Sequence, residues 1–461
     1  MIPVPSPLLP LIDALSETGI RPILVGGFVR DHFTGDETRD IDIELYGVTS
    51  LEGLEKILEP FGTLNLVGKS FGVLKLTCEG YHIDFSPPRT ESKKGFGHKG
   101  FDVAWHSDID FAAAARRRDF TINAIGYDPV QQTILDPYGG IGDLEAGILR
   151  GVDPSTFGDD PLRVLRAAQF AARFGLACDN DLLVLCRHMI AQGALEELPK
   201  ERVFEEIKKL LLKSAHPSIG LKLLRSMGGL AFFTPLDRFE ETPQDPVSHP
   251  EGSVWTHILM CVDAMVPLLP HDPKRDLILM LSALLHDIAK PFTTLIQNGA
   301  LNAPKHAEEG VDIAREWLLR LTGDKAIIEG VLPLVRYHGW PRKFYRSHAS
   351  DTEILRLATQ VCIDDLVRVA EADFFGRDFI GERPTSFEAG KWLRERARAL
   401  GVLHHPLPPL LMGRDLIAMG LKPSEAFAPI LASAYEAQLN LEFTTREEAL
   451  AWAENHLVTE L

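Results

Sequence analysis

The sequence predicts an α+β chain, a small mixed α/β domain followed by a long, mostly α-helical body. Three observations carry this. Short β-like runs separated by turns fill the first 130 residues, helical patterning runs from Pro161 almost to the C-terminus, and two Pro-containing stretches, 234–252 and 401–409, interrupt it. A chain of 461 residues exceeds one compact core, so several domains are expected, here 1–130, 131–235, 236–400 and 401–461. The expected strands are Pro22–Val25, Ile41–Leu45, Val73–Thr77, Tyr81–Phe85 and Thr133–Leu135.

Composition narrows the class. Hydrophobic residues make up 45% and charged residues 25%, which excludes a disordered or collagen-like chain. With 48 basic and 65 acidic residues the net charge is −17, against an indiscriminate nucleic-acid binder. The charge is uneven: residues 61–230 hold 21 of each sign, so only there is a polyanion tolerated. Five scattered cysteines without a Cys-x-x-Cys pair indicate a reducing compartment and neither a disulfide framework nor a thiolate zinc site. Met1–Ile20 lacks Lys and Arg and contains four prolines, unlike a signal peptide, and no apolar run approaches the roughly 20 residues that span a bilayer. A soluble cytoplasmic protein without a membrane partner is expected.

The chemistry begins at Ile23-Leu24-Val25-Gly26-Gly27. Two glycines between a strand and a helix let backbone N–H groups approach a phosphate, and Arg30 in the first helical turn can fork onto its oxygens. In Arg39-Asp40-Ile41-Asp42-Ile43-Glu44, alternation puts Asp40 and Asp42 on one strand face and the isoleucines on the other. Paired carboxylates repel unless a cation lies between them, and hard oxygen ligands suit Mg²⁺ bridging to phosphates. Asp84, between apolar neighbours in the β-like run Tyr81–Phe85, completes the cluster or accepts a proton from an attacking hydroxyl.

At these residues the sequence resembles the class II tRNA nucleotidyltransferases, the CCA-adding enzymes and poly(A) polymerase relatives of the polymerase-β-like superfamily. The carrying motif is Leu24-Val25-Gly26-Gly27-x-Val29-Arg30-Asp31, Gly35 and Asp40-x-Asp42. The resemblance implies a polymerase-β-like head, a helical neck and body, and catalysis by Asp40, Asp42 and Asp84. Arg116-Arg117-Arg118-Asp119 resembles the motif in which the residue at Arg118 touches the nucleotide. In Asp159-Asp160-Pro161-Leu162-Arg163, a carboxylate at Asp160 and a guanidinium at Arg163 offer a base edge complementary donors and acceptors. The resemblance implies that this pair reads CTP or ATP without a template. Arg166 and Gln169 continue the ridge as nucleotide contacts, although the family usually has Glu at 159 and Arg at 169. Glu201-Arg202-x-x-x-Glu205-x-x-Lys208 resembles the last head-and-neck motif. The basic stretch from Arg89 to Gly100, with Lys93, Lys94, His98 and Lys99, resembles the loop that switches the family from C to A addition.

In the second half, His286-Asp287 interrupts an apolar run, a burial cost that metal coordination offsets. With His257 and Asp373 it resembles the HD phosphohydrolase set, and His306 and His338 fall where two-metal HD enzymes carry extra histidines. The resemblance implies an α-helical HD domain, then a helical tail from Gly413 to Trp452 that holds the tRNA elbow. The implied partners are the tRNA 3′ end, CTP and ATP, with no DNA; the oligomeric state stays open. The implied cofactors are Mg²⁺ at the head and a transition metal or Mg²⁺ at the HD site. The expected activity is addition or repair of the 3′-terminal CCA with release of pyrophosphate, alongside 2′,3′-cyclic phosphodiesterase or phosphatase activity. The alternatives are an A-adding, CC-adding or poly(A) polymerase, or chiefly an HD phosphohydrolase with a nucleotide-binding head.

Overall fold

The computed structural model describes residues 2–48, 53–65, 73–93, 101–105, 109–297 and 299–457. Two compact units divide at Asp237/Arg238.

The first unit opens with α1 (Leu9–Glu17), β1 (Arg21–Val25), α2 (Gly27–Thr34) and β2 (Asp40–Tyr46), followed by α3 (Leu54–Leu58), β3 (Thr63–Asn65), β4 (Leu74–Cys78) and β5 (Tyr81–Ser86). After β6 (Arg89–Lys93), β7 (Phe101–Trp105) and α4 (Phe111–Ala115) come β8 (Gly126–Asp128) and β9 (Thr133–Leu135). The main sheet runs β3-β4-β5-β2-β1-β8-β9, antiparallel except for the β2–β5 pair. All five expected strands form, within one residue of the expected bounds. Ile41, Ile43 and Ile83 are buried in the core beneath the sheet, as alternation requires. Strands β6 and β7 pair as a separate ribbon from the basic stretch, whose Lys94, His98 and Lys99 lie outside the described residues.

Helices then take over: α5 (Gly140–Ala146), α6 (Pro154–Phe157), α7 (Leu162–Phe174), α8 (Asn180–Ala191), α9 (Lys200–Leu212) and α10 (Pro217–Ser226). The short strands β10 (Ile148–Leu149) and β11 (Ala177–Cys178) pair in parallel. Helix α7 ends at Gly175 in the left-handed conformation, φ 66°, where glycine carries no Cβ penalty.

The second unit is helical. It runs α11 (Val254–Met265), α12 (Pro273–Leu285), α13 (Lys290–Thr293), the hairpin β12 (Leu295–Gln297) and β13 (Ala300–Asn302), α14 (His306–Leu321), α15 (Lys325–Tyr337) and α16 (Trp340–Ser347). Then follow α17 (Asp351–Ala358), α18 (Ile363–Phe375) and α19 (Glu388–Ala399). The terminal helices α20 (Gly413–Ala418), α21 (Phe427–Leu439) and α22 (Arg446–Leu457) enclose their own core around Leu416, Ala437 and Phe443. No helix among the described residues is long and apolar enough to cross a membrane.

The stretch 234–252 is not the free linker that its composition suggests. From Arg238 onward it packs on the second unit: Phe239 is fully buried, and its carbonyl and that of Thr242 accept bonds from Trp255 and Val254 at 3.1 and 3.0 Å. The other stretch, 401–409, also docks: Val402 is buried and the Leu403 carbonyl accepts from Asp364 N at 3.0 Å. In both cases a few apolar residues among the prolines decide the outcome, because burying them offsets the entropy of ordering the chain.

Candidate active sites: a nucleotide cleft and a buried histidine centre

The first unit contains a cleft of about 450 Å³ at the edge where β1 meets α2. Gly26 makes the turn at φ 70° and ψ −134°, a region that glycine alone enters freely. A Cβ there would stand 3.0 Å from Asp42 Oδ2, so the missing side chain is what lets the backbone approach that carboxylate. Register places Asp42 opposite Val25 on one side and Asp84 on the other, so two carboxyl groups from adjacent strands line the same cleft. Burial between the cleft walls raises the Asp42 carboxyl, Arg118 opposes this, and Asp84 and Glu44 add to it. Asp84 also holds the Lys75 ammonium at 2.5 Å. Two adjacent hard-oxygen donors in that condition fit a divalent cation. Asp40 shares their strand face and, like Asp42, is exposed, but it does not line the cleft.

Arginines form the opposite wall. Arg118 donates to Glu44 Oε1 at 2.8 Å and to the Asn123 carbonyl at 3.1 Å, while its buried Nε has no hydrogen-bond partner. Glu44 is 1% exposed, lies 3.5 Å from Arg117 and accepts from Tyr46 OH at 3.0 Å. Burial works to raise the Glu44 carboxyl, but Arg118, Arg117 and Tyr46 outweigh it and hold it low. Arg166 is held by Asp119 at 2.5 Å, Asp119 accepts from Asn123 at 2.9 Å, and Asn123 accepts from Arg30 at 2.6 Å. This chain fixes four cleft residues, Arg30, Asn123, Asp119 and Arg166, at once.

Several expectations need adjustment. Arg30 lines the cleft, but its fork is taken up by Asp31 at 2.8 and 2.5 Å, beneath Phe170 and Phe174, so it acts as a strut rather than an open phosphate clamp. Gln169 is 3% exposed and does not line the cleft. A step of three residues falls about 60° short of a full turn at 3.6 residues per turn, so along α7 Gln169 stands about 120° round from Arg163. Asp160, Arg163 and Arg166 do line the cleft, as do Gly26, Gly27 and Arg118. Asp160 is held by Arg202 at 2.9 Å, and Arg163 donates to the Thr156 carbonyl at 2.7 Å and to that of Arg117. Glu44, Asp119 and Asn123 were not singled out from sequence. Glu44 had a signal: it continues the Asp40–Asp42 alternation.

The second unit buries a histidine centre. Each histidine ties its Nδ1: His257 to Glu251 at 3.0 Å, His286 to the Ala283 carbonyl at 3.0 Å, His306 to that of Ala303 at 2.7 Å and His338 to that of Val335 at 2.8 Å. That arrangement leaves the Nε2 lone pairs facing inward, 3.3 Å apart in His257–His286 and 3.3 Å apart in His306–His338. Asp373 Oδ1 is 3.2 Å from His257 Nε2. Asp287 joins the pairs, Oδ2 lying 3.3 Å from His286 and Oδ1 3.4 Å from His306. Lys290 Nζ pairs with Asp287 Oδ2 at 2.7 Å, and despite burial that charge and the neighbouring His286 and His306 hold the Asp287 carboxyl well below its ordinary range. Burial and the neighbouring His286 and His306 push His338 down to about 3. Opposed Nε2 lone pairs around buried, ionised carboxylates fit metal ions.

All six expected residues thus converge, and the centre opens into a cleft of about 1170 Å³ lined by Lys290, Arg342, Lys343, Arg346 and Arg377. Sequence reading missed Cys261, His249 and Glu251, which join the cluster. Cys261 had a signal, being four residues after His257 on α11.

Fold and sites together define a nucleotidyltransferase head of the poly(A) polymerase type joined to an HD domain. Family models match in the same order: Poly A polymerase head domain over 23–150, probable RNA and SrmB-binding site of polymerase A over 178–236, and HD domain over 254–369. The multifunctional CCA protein of Xylella fastidiosa strain 9a5c is 32% identical over 396 residues, covering 83% of this chain and 90% of the relative. That of Nitrosococcus oceani is 32% identical over 415 residues, covering 88% and 94%. The chain belongs to the multifunctional CCA protein family. Among solved structures, the Bacillus stearothermophilus CCA-adding enzyme in complex with CTP shares the fold, with TM-score 0.68, 21% identity and 99% coverage of both chains.

Proposed function

We propose that the protein adds or repairs the 3′-terminal CCA of tRNA in the cytoplasm, using CTP and ATP without a template and releasing pyrophosphate. The single observation that carries this is the cleft in which Asp42 and Asp84 face Arg118, Asp160, Arg163 and Arg166. The multifunctional CCA relatives support the same activity. In this reading residues 1–130 are the head, 131–235 the neck and body, 236–400 the HD domain and 401–461 the tail.

Asp42 from within the cleft and Asp40 from the same strand face beside it would hold Mg²⁺, with Asp84 across from Asp42. Bound there, the ion supplies charge neutralisation of the triphosphate and polarises its α-phosphorus. Gly26 and Gly27 admit the phosphates to the backbone, and Arg118 and Arg166 neutralise their charge from the opposite wall. Asp84 is placed to accept the proton of the attacking 3′-hydroxyl. Asp160 and Arg163 choose the base, with Arg202 fixing the carboxylate that reads it. Alanine at both Asp40 and Asp42 should abolish incorporation of labelled CTP and ATP while tRNA binding persists; undiminished incorporation would refute the assignment.

A second activity has its own observation, the histidine centre opening into a cationic cleft. There Arg342, Lys343 and Arg346 attract a phosphate ester, and the second unit acts as a metal-dependent phosphohydrolase on 2′,3′-cyclic or terminal phosphates. Phosphate release that survives Asp287→Ala would refute it.

A further inference from the structure

Beside the histidine centre lies a second, smaller cavity of about 200 Å³, lined by Pro243, Gln244 and His249 and by Thr294, Leu301 and Asn302 around the β12–β13 hairpin. Ser248, His249, Lys290 and His306 line both this cavity and the cationic cleft, so the two spaces meet at the centre. Size separates their roles. An apolar cavity of about 150 Å³ admits benzene. The space of about 200 Å³ therefore admits one flat heterocycle and little more.

Its walls are set before anything enters. Gln244 is buried, its Oε1 accepting from Lys290 at 2.5 Å and its Nε2 donating to the Ser253 carbonyl at 3.2 Å. Lys290 pairs in turn with Asp287 at 2.7 Å, which ties this wall to the centre. His249 gives its Nδ1 to Glu251 at 2.8 Å, and Arg377 bonds the Ser248 carbonyl at 3.3 Å. The lining is mixed in the way that suits a nucleobase. Pro243, Leu301 and the two imidazoles offer faces for a ring, and Thr294 adds a hydroxyl. Asn302 spends its Nδ2 on the Ala300 carbonyl at 3.2 Å, which leaves its Oδ1 as an acceptor. Charge points the same way. The only Lys or Arg on this lining among the described residues is Lys290, already held by Asp287 and Gln244, whereas Arg342, Lys343 and Arg346 charge the larger cleft. A phosphate is drawn to the cleft and an uncharged base to the cavity.

We infer that this cavity is the nucleobase subsite of the histidine centre: a nucleoside phosphate binds with its ester over the centre and its base between the 243–249 segment and the β12–β13 hairpin. The inference rests on the phosphohydrolase reading of the second unit and names what makes that site prefer nucleotides to baseless esters. The segment involved is the one whose composition suggests a linker.

The test uses the full-length protein loaded with Mn²⁺. Its substrates are the 2′,3′-cyclic and the 2′- and 3′-monophosphates of adenosine and cytidine, beside glycerol 1,2-cyclic phosphate and glycerol 2-phosphate, which carry similar esters without a base. A stacked base is typically worth about 10- to 100-fold, so the wild type should favour the nucleoside esters in kcat/KM by about that factor. Leu301→Trp, which fills the cavity, should raise KM for the nucleoside esters by the same factor while glycerol-ester hydrolysis, Mn²⁺ affinity and CTP incorporation hold. Where the tryptophan disturbs the hairpin, Asn302→Ala at an exposed position carries the test and should reduce the preference for nucleosides. Photolabelling of the wild type with 8-azidoadenosine 3′-monophosphate, which needs neither variant nor turnover, should mark peptides of the second unit that hold residues 243–249 or 294–303. Equal efficiency on nucleoside and glycerol esters, a preference that survives both variants, or second-unit labelling confined to Phe379 and Ile380 at the larger cleft would each overturn the subsite. No hydrolysis of any ester by the loaded wild type would overturn the phosphohydrolase reading and the subsite with it, whereas glycerol esters cleaved as well as nucleoside esters would sink the subsite alone.

Discussion

Glu44 offers a sharp test of how the nucleotide cleft is built. Its carboxylate is 1% exposed and holds Arg118 at 2.8 Å, while the Arg118 side chain is 17% exposed. Glu44→Ala strips the partner from a buried guanidinium, and breaking such a pair typically costs about 3–5 kcal/mol because the remaining charge stays buried. At about 2–4 °C per kcal/mol for a unit of this size, the melting temperature of the first unit should fall by about 6–20 °C. Freed Arg118 also leaves the cleft wall, and a displacement near 1 Å in such a site costs on the order of 100-fold in rate. The assay is calorimetry beside steady-state incorporation of CTP into tRNA lacking its CCA end. The double variant Glu44→Leu/Arg118→Met separates the two roles. Apolar residues of similar volume commonly restore the stability of a broken buried pair, so melting should recover while incorporation stays lost. Wild-type melting in Glu44→Ala, or incorporation regained by the double variant, would refute the reasoning.

Other outcomes follow from the same geometry. Gly26→Ala forces a side chain into a backbone conformation costing about 1–3 kcal/mol and pushes on Asp42, so kcat should drop on the order of 100-fold; full activity would show that the turn has room. Asp119 is held below its ordinary value: burial opposes this, but Arg166 and the bonds from Asn123 and Phe120 outweigh it. A depressed carboxyl contributes stability above its unfolded value near 4 and loses it as pH falls through the folded value, so the wild type should weaken in acid more steeply than Asp119→Asn. Equal acid slopes in denaturant melts would argue against that coupling. Asp287→Ala should eliminate metal-dependent phosphate release while leaving CTP incorporation intact, and Asp42→Ala should do the reverse; joint loss in either variant would contradict two separate sites.

What the sequence disclosed depended on how local the determinants were. The strand alternation of Asp40–Ile43 and the glycine pair at Gly26-Gly27 are read from neighbours, and the structure forms both. Asp84 was recognisable as an acid in a strand, but its place beside Asp42 follows from the parallel β2–β5 pairing, which no local pattern encodes. Arg30 shows the limit of motif reading: its charge was evident, whereas its bond to Asn123 arises across 93 residues of chain and its fork turns onto the adjacent Asp31. Gln169 shows the cost of extending a three-residue ridge too far around a helix. In the second unit the donor residues were identifiable by type. The inward aim of four Nε2 atoms was not, because backbone carbonyls and Glu251 set the tautomers.

The central claim is tested most directly by sequencing the 3′ ends produced when the protein meets tRNAs lacking A, CA or CCA with CTP and ATP together. The account predicts that each end is restored to CCA and growth stops there, with no product from Asp42→Ala. Runs of adenosine, ends that stop at CC or accept only A, or undiminished products from Asp42→Ala would contradict it.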